Sequence, residues 1–231
     1  MLEDNNLKII IPARKGSKRL PNKHFRELNG IPLYRYTFDY LVDKVKANNV
    51  WLNSDDDKLI FLAKEYGFNT LKRPENISGD YSKSIDFIKF QKKYFNENKI
   101  NFKDIALIQL TNPFRPNNLI KDAYEKYLIS NRQSLTSFSL LKKKIGLIEL
   151  DKYTPFNHIP GTRSQDLNKT YFENGLIYII SSTAIEQNKI ITPDTYPYII
   201  NSHHGVIDID NEIDLKIAEE FLKLNLLNND N

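Results

Sequence analysis

The sequence has no cysteine among its 231 residues. That excludes disulfides, thiolate nucleophiles and thiolate metal sites, and it is compatible with a reducing compartment. No apolar run approaches the roughly 18–20 residues a bilayer-spanning helix needs. Met1 to Asn6 are acidic and polar, the opposite of a signal peptide's basic start, so a cytoplasmic location without membrane contact is expected. Two common nucleotide signatures are missing: neither G-x-x-x-x-G-K-[ST] nor G-x-G-x-x-G occurs, which weakens P-loop and dinucleotide-dehydrogenase readings. An excess of one charge is lacking too. The 33 Lys and Arg stand against 29 Asp and Glu, a net +4, too mild to argue for a nucleic-acid partner.

What is present suits one large domain over residues 1–231. Hydrophobic residues make up 40% and charged residues 27%, so a sizeable core can form. Disorder is expected only in the Asn/Asp-rich tail, 228–231. Leu7 to Ile11 is a β-branched run that suits a buried parallel strand closed by Pro12. Tyr34, Phe38, Leu41, Val42 and Val45 recur at helical spacing. Asn49 to Asn53 reads as a second strand, followed by a helix capped by Ser54 or Asp55, with Leu59, Ile60, Ala63 and Tyr66 inward and Gly67 at its end. A helix carrying Ile85, Ile88 and Phe95, a central strand from Asp104 to Leu110 and a helix carrying Leu119, Ala123 and Tyr127 continue the rhythm. Alternation of this kind predicts an α/β fold, a Rossmann-like mostly parallel sheet with helices on both faces.

The rhythm breaks over 134–180. Leu135–Leu140, Leu147–Leu150 and Leu176–Ile180 read there as antiparallel strands inserted into the sheet domain. A last strand, Gly205 to Asp208, leads into a helix with Ile213, Ile217, Ala218, Phe221 and Leu222 on its apolar face.

Directly after the first strand come Arg14, Lys15, Lys18, Arg19 and Lys23, with no acid among them. Five cations on one short loop repel unless an anion sits among them. In open α/β sheets the loops at the carboxyl ends of strands bind ligands, so a triphosphate is the natural guest, with a solvated basic turn as the plainer alternative. Asp208 and Asp210 flank Ile209, so on an extended strand both carboxylates face one side. A divalent cation such as Mg²⁺ would relieve their repulsion. The alternative is that Asp208 ends the strand while Asp210 or Asn211 caps the final helix.

The segment Ile11-Pro12-Ala13-Arg14-Lys15-Gly16-Ser17-Lys18-Arg19-Leu20-Pro21-Asn22-Lys23 closely resembles the signature of the acylneuraminate cytidylyltransferases. The resemblance continues, in family order, at Asn53-Ser54-Asp55, Arg73-Pro74-Glu75, Gln109 to Arg115, Asn174 to Ile179 and Ile207 to Asp210. It implies a nucleotide-diphospho-sugar transferase type of fold. The implied reaction transfers CMP from CTP, with Mg²⁺, to an acidic nonulosonic sugar used in surface polysaccharide. It also implies a homodimer, with 134–180 as the dimerisation and sugar-site element.

Carried over residue by residue, Arg14, Lys18 and Lys23 hold the triphosphate, and Arg14, Lys23, Asp208 and Asp210 form the catalytic set. Arg73 and Ser84 lie around cytosine and ribose; read alone, Arg73 is equally a solvated cation. His24 stands where the family usually has Asn, and either keeps a hydrogen bond through a ring nitrogen or is a surface replacement. Gln109, Asn174 and Tyr178 line the sugar pocket. Arg163 meets the sugar carboxylate, commonly from the neighbouring subunit, or is a flexible loop charge. The chain departs from the pattern at Phe172-Glu173, at Lys142 to Gly146 and at Ile190-Ile191, all in the sugar half. That favours a relative of sialic acid, such as legionaminic acid, about as readily as N-acetylneuraminic acid. The runner-up acceptor is an eight-carbon ulosonic acid, and a rival class is a non-catalytic nucleotide- or RNA-binding protein. His158, His203 and His204 read as structural or surface residues.

Overall fold

Along the first strand Leu7, Ile9 and Ile11 point one way and Ile10 the other, and all four are buried. A strand that is apolar on both sides needs cover on both faces. The computed structural model, which describes residues 4–79 and 81–224, supplies it. β1 (Leu7–Ala13) leads through a small hairpin, β2 (Glu27–Leu28) and β3 (Ile31–Pro32), into α1 (Leu33–Lys44). β4 (Val50–Ser54), α2 (Asp57–Glu65), β5 (Asn69–Lys72), α3 (Ser84–Glu97), β6 (Asp104–Leu107) and α4 (Leu119–Ser130) follow. The second half contains β7 (Ser134–Leu141), β8 (Gly146–Glu149), β9 (Lys152–Pro155), β10 (Thr170–Ser181), α5 (Ser182–Glu186), β11 (Tyr196–Ile199) and α6 (Glu212–Lys223).

Seven strands form one sheet in the order β11-β7-β10-β6-β1-β4-β5. β6, β1, β4 and β5 run parallel, and β10 is antiparallel to both of its neighbours. One buried cluster joins Leu7, Ile9 and Ile11 to Phe38 of α1, Leu59 of α2 and Tyr124 of α4. Another joins Ile10, Trp51 and Ile105 to Phe87, Ile88 and Phe95 of α3 and Ala184 of α5. These are the two faces of a doubly wound sheet. From β1 the chain moves outward to β4 and β5, then returns to β6 on the other side. The strand order therefore switches direction between β1 and β6, the place where open α/β sheets form a ligand crevice.

Several local expectations are corrected. Pro12 does not close β1, which pairs with β4 as far as Ala13↔Ser54. The Ile10 carbonyl accepts from Ile108 N–H at 3.1 Å, so even-numbered residues of β1 bond towards β6. That ladder ends at Ile10↔Leu107, so Pro12 withdraws no donor from it. The cap of α2 is Asp56, which accepts from Lys58 and Leu59 N–H at 3.0 and 3.2 Å. β5 is an edge strand with only Leu71 buried, too polar to stand out in the sequence. Gly205 to Asp208 forms no strand: a 3-10 turn, His203–Val206, precedes an extended stretch. On the last helix Leu215 and Ala218 face inward, while Ile213 and Ile217 are exposed.

Residues 134–180 contribute β7 and β10 to the main sheet itself. Between them the β8–β9 hairpin stands as a separate two-stranded sheet. Leu147, Ile148, Leu150, Tyr153, Phe156 and Ile159 are exposed there. The tail 228–231 lies outside the described residues. Among the described residues no helix is long and apolar enough to cross a membrane.

Candidate active site

The basic loop leaves β1 at the switch point, and a third apolar cluster decides where it lies. Leu20 of the loop is buried with Phe114, Ile207, Ile209 and Leu215. This packing fastens the loop against the segment that carries Asp208 and Asp210. Asn22 takes a left-handed conformation (φ 55°) before the turn Lys23–Phe25, and Lys15 N–H donates to Asp55 at 2.7 Å. Ile209 N–H donates to the Thr111 carbonyl at 2.8 Å. With Ile209 fully buried, Asp208 and Asp210 on either side of it turn to the same cleft.

A cavity of about 470 Å³ brings together Arg14, Lys18, Lys23, His24, Gln109, Asp208 and Asp210, with Ser17, Arg19 and Thr111. A second cavity, of about 240 Å³, shares Pro12, Arg14 and Gln109 with it and adds Arg73, Ser84 and Phe87. The two form one bipartite cleft at the carboxyl ends of β1 and β6. Residues 194 positions apart in the chain, Arg14 and Asp208, face the same space.

The electrostatics differ from group to group. Asp210 accepts from Lys23 Nζ and Arg19 Nη2, each at 2.7 Å. Arg19 is 69% exposed, so its pair adds at most about 1 kcal/mol; Lys23, only 11% exposed, is the stronger partner. Partial burial works against the Asp210 anion, but these two cations hold its carboxyl below the ordinary range. Asp208 is displaced the other way. Desolvation by the cleft walls raises its carboxyl, a hydrogen bond with Thr111 offsets part of this, and the neighbouring Asp210 charge raises it further.

Arg73 is buried. Its Nε donates to Asn53 Oδ1 at 2.7 Å and Nη2 to the Asn53 carbonyl at 2.8 Å, and the guanidinium lies 4.6 Å from the Phe87 ring centroid. Burial lowers it to about 10, Asp55 opposes that, and Arg14 across the cavity lowers it further. Arg73 is therefore still charged at neutral pH, and two guanidiniums facing one space invite an anion between them. Ser84 is exposed at the first turn of α3, on the rim of that cavity.

His24 is neither a surface replacement nor open to solvent. It is 8% exposed, and Nε2 lies 3.2 Å from the Arg14 carbonyl. A carbonyl only accepts, so Nε2 carries the proton. Burial pulls the imidazole down to about 4, so the ring is neutral and Nδ1 is buried without a partner among the described residues. The ring fixes the backbone that presents Arg14.

The chain as a whole has recognisable relatives. The family model described as cytidylyltransferase matches residues 8–231. The chain belongs to that family. It is a nucleotidyltransferase of the acylneuraminate cytidylyltransferase type. It is 30% identical to the pseudaminic acid cytidylyltransferase of Campylobacter jejuni over 224 residues, covering 94% of this chain and 96% of the relative. Identity and coverage are the same with the CMP-N,N'-diacetyllegionaminic acid synthase of Legionella pneumophila. Among solved structures, CMP:2-keto-3-deoxy-manno-octonic acid synthetase complexed with CTP superposes with a TM-score of 0.65 at 12% identity. The match covers 95% of this chain and 99% of that one. The 4-diphosphocytidyl-2C-methyl-D-erythritol synthase of Anaerococcus prevotii superposes with a TM-score of 0.60 at 11% identity, covering 95% and 100%. At such identities the superpositions speak for the fold.

The remaining sugar-side residues are placed unevenly. Tyr178 on β10 donates to Glu173 Oε2 at 3.3 Å and lines neither cavity; burial raises its hydroxyl, and Glu173 and Asp208 add to this. Asn174 does not line either cavity. Its amide is spent inside the fold: Oδ1 accepts from Ser137 Oγ at 2.6 Å and Leu176 N–H at 3.2 Å, and Nδ2 donates to Ser139 Oγ at 3.0 Å. With Gly175 (φ +74°) it forms the bulge where the register of β10 shifts. A Cβ on Gly175 would lie 3.1 Å from Asn112 Oδ1. Asn112 in turn donates to the Asn174 and Ile207 carbonyls, each at 3.2 Å. This bracing residue went unassigned in the sequence, although it sits in the Gln109–Arg115 block. Arg163 is 71% exposed, pairs with Asp166 at 2.6 Å and lines neither cavity.

Proposed function

We propose that this protein transfers CMP from CTP to the anomeric hydroxyl of a nonulosonic acid of the pseudaminic or legionaminic type, releasing pyrophosphate. The observation that carries the proposal is the single cavity shared by Arg14, Lys18, Lys23, Asp208 and Asp210. Two relatives of near-complete coverage, whose names specify those sugars, support the acceptor class.

Nucleotidyl transfer depends chiefly on positioning and on charge placed where charge develops. Arg14, Lys18 and Lys23 hold the phosphates and neutralise the departing pyrophosphate. Arg73 and Ser84, in the second cavity, hold the nucleoside end. The residues present fit Mg²⁺: two carboxylates facing one cleft beside a phosphate site suit an ion that otherwise keeps water and phosphate oxygens. They would not make a closed protein cage, since no group of three acidic or His ligands occurs among the described residues. When bound, the ion supplies positive charge at the α-phosphate. One of the two carboxylates, Asp208 or Asp210, takes the proton as the sugar oxygen bonds to the α-phosphorus and the bond to the β-phosphate oxygen breaks. Gln109, on both cavities, and Tyr178 orient the sugar.

The exposed apolar hairpin supports a homodimer in which Arg163 of one copy meets the sugar carboxylate at the other's cleft, a fork suited to that anion. The test is direct. Purified protein with Mg²⁺, CTP and a panel of nonulosonic acids should release pyrophosphate, fastest with pseudaminic or legionaminic acid. Release with none of them refutes the proposal; release only with an eight-carbon ulosonic acid moves it to the runner-up.

A further inference from the structure

Arg115 is a buried cation with no acid beside it. It is 8% exposed, and no carboxylate pairs with it among the described residues. Its partners are neutral: Nη1 donates to Thr37 Oγ1 on α1 at 3.0 Å, Nη2 donates to the Gln109 carbonyl, and the guanidinium lies 5.8 Å from the Tyr40 ring centroid. Nε is buried without a partner among the described residues. Burial pulls the guanidinium down to about 10, with Tyr40 opposing this, so the charge persists at neutral pH.

Such an arrangement is a poor way to stabilise a fold. A buried charge without a counter-ion carries a desolvation penalty that hydrogen bonds to neutral partners offset only in part. What the guanidinium does accomplish is local. Gln109 lies two residues beyond the end of β6, outside any ladder, and its side chain lies where the two cavities meet. The bond from Arg115 ties the Gln109 carbonyl to α1 by way of Thr37.

We propose that Arg115 is a positioning residue for the transfer reaction, holding Gln109 at the junction of the nucleotide and sugar cavities. The proposal rests on Gln109 meeting the sugar, as proposed above. Arg115 touches neither cavity, so its effect is transmitted through the Gln109 backbone.

The test is a double-mutant cycle with a stability readout. R115M should leave CTP affinity within about threefold and lower kcat/KM for the sugar by roughly 10- to 100-fold per folded molecule, a loss larger than any fall in the folded fraction read from the melting curve. Q109A should show the same kinetic split. The double variant should be no worse than Q109A alone, and R115K should recover part of the loss. If the two losses multiply, or if R115M melts earlier with normal activity per folded molecule, Arg115 is merely structural and the proposal is overturned. If Q109A itself is normal, the sugar role of Gln109 fails and the proposal falls with it. Should R115M not fold, T37V, which removes only the α1 anchor, takes its place in the cycle; additive losses there would overturn the proposal equally.

Discussion

Around the basic loop each part is fixed by the same chain: Leu20 shares a buried cluster with Ile207 and Ile209, His24 holds the Arg14 carbonyl, and Asn53 holds Arg73. At the other end Arg163 stands exposed on a loop, bonded to its near neighbour Asp166, next to a hairpin whose apolar side chains face solvent. The cations proposed to hold the phosphates are thus fixed by contacts within the chain itself. Arg163, proposed to meet the sugar carboxylate, sits on an exposed loop whose pairing partner is its own near neighbour Asp166. A site whose demanding chemistry is at the phosphates gains most from rigidity there, while the part that reads the sugar can be supplied by assembly.

The strongest way to break this comparison is at the rigid half. Asp210→Asn should cut turnover by about 10³-fold or more, measured by pyrophosphate release on CTP-saturated protein. Wild-type turnover would remove Asp210 from the mechanism. At the assembled half, Arg163→Ala should raise the KM for the sugar by roughly 10- to 100-fold and leave the KM for CTP unchanged. Mixing this variant with an Asp210→Asn protein should restore turnover in hybrid dimers if Arg163 serves the partner's cleft; a mixture as poor as the two variants alone would count against that arrangement.

The smallest effect at neutral pH concerns His24. Below pH 6.5 the unfolded chain protonates this ring while the folded protein, held near 4 by burial, does not. Its contribution to stability is therefore complete above about pH 6.5 and lost as pH falls towards 4. The full difference is about 3 kcal/mol. His24→Gln, which keeps a donor for the Arg14 carbonyl, should lose less stability between pH 7 and pH 4.5 in urea titrations. Identical pH profiles for the two proteins would show that His24 is not the proton-linked group.

That these charged residues share one cleft could be read from the sequence because its signals are local and dense. A β-branched strand followed by five cations marked the loop that lines the cleft, and Asp208 and Asp210 face one side although no strand forms there: burial of Ile209 enforces the same alternation. Elements whose identity depends on distant partners were harder. β5 is short, polar and at an edge, so only its pairing with β4 defines it. Asn174 carries a motif that resembles a sugar-site block, yet Ser137 and Ser139, 37 and 35 residues away, claim its amide. Ile213 and Ile217 fit a helical stripe as well as Leu215 and Ala218 do; the placement of Leu20 and Leu33 determines which stripe is buried. Arg115 gave no hint, because an arginine without an acid looks the same in a sequence as one on the surface.

Asp210 has one more bearing on selectivity. In the resting cleft it already occupies Lys23 and Arg19. An incoming anion does not drop into a vacant cationic well; it must outcompete an internal carboxylate for the same donors. Weakly charged or singly bound anions gain little from that exchange. A triphosphate that, as proposed above, also reached Arg14 and Lys18 would have the charge to drive it. On the proposed reading, the pairing would set a threshold that singly bound phosphates do not cross.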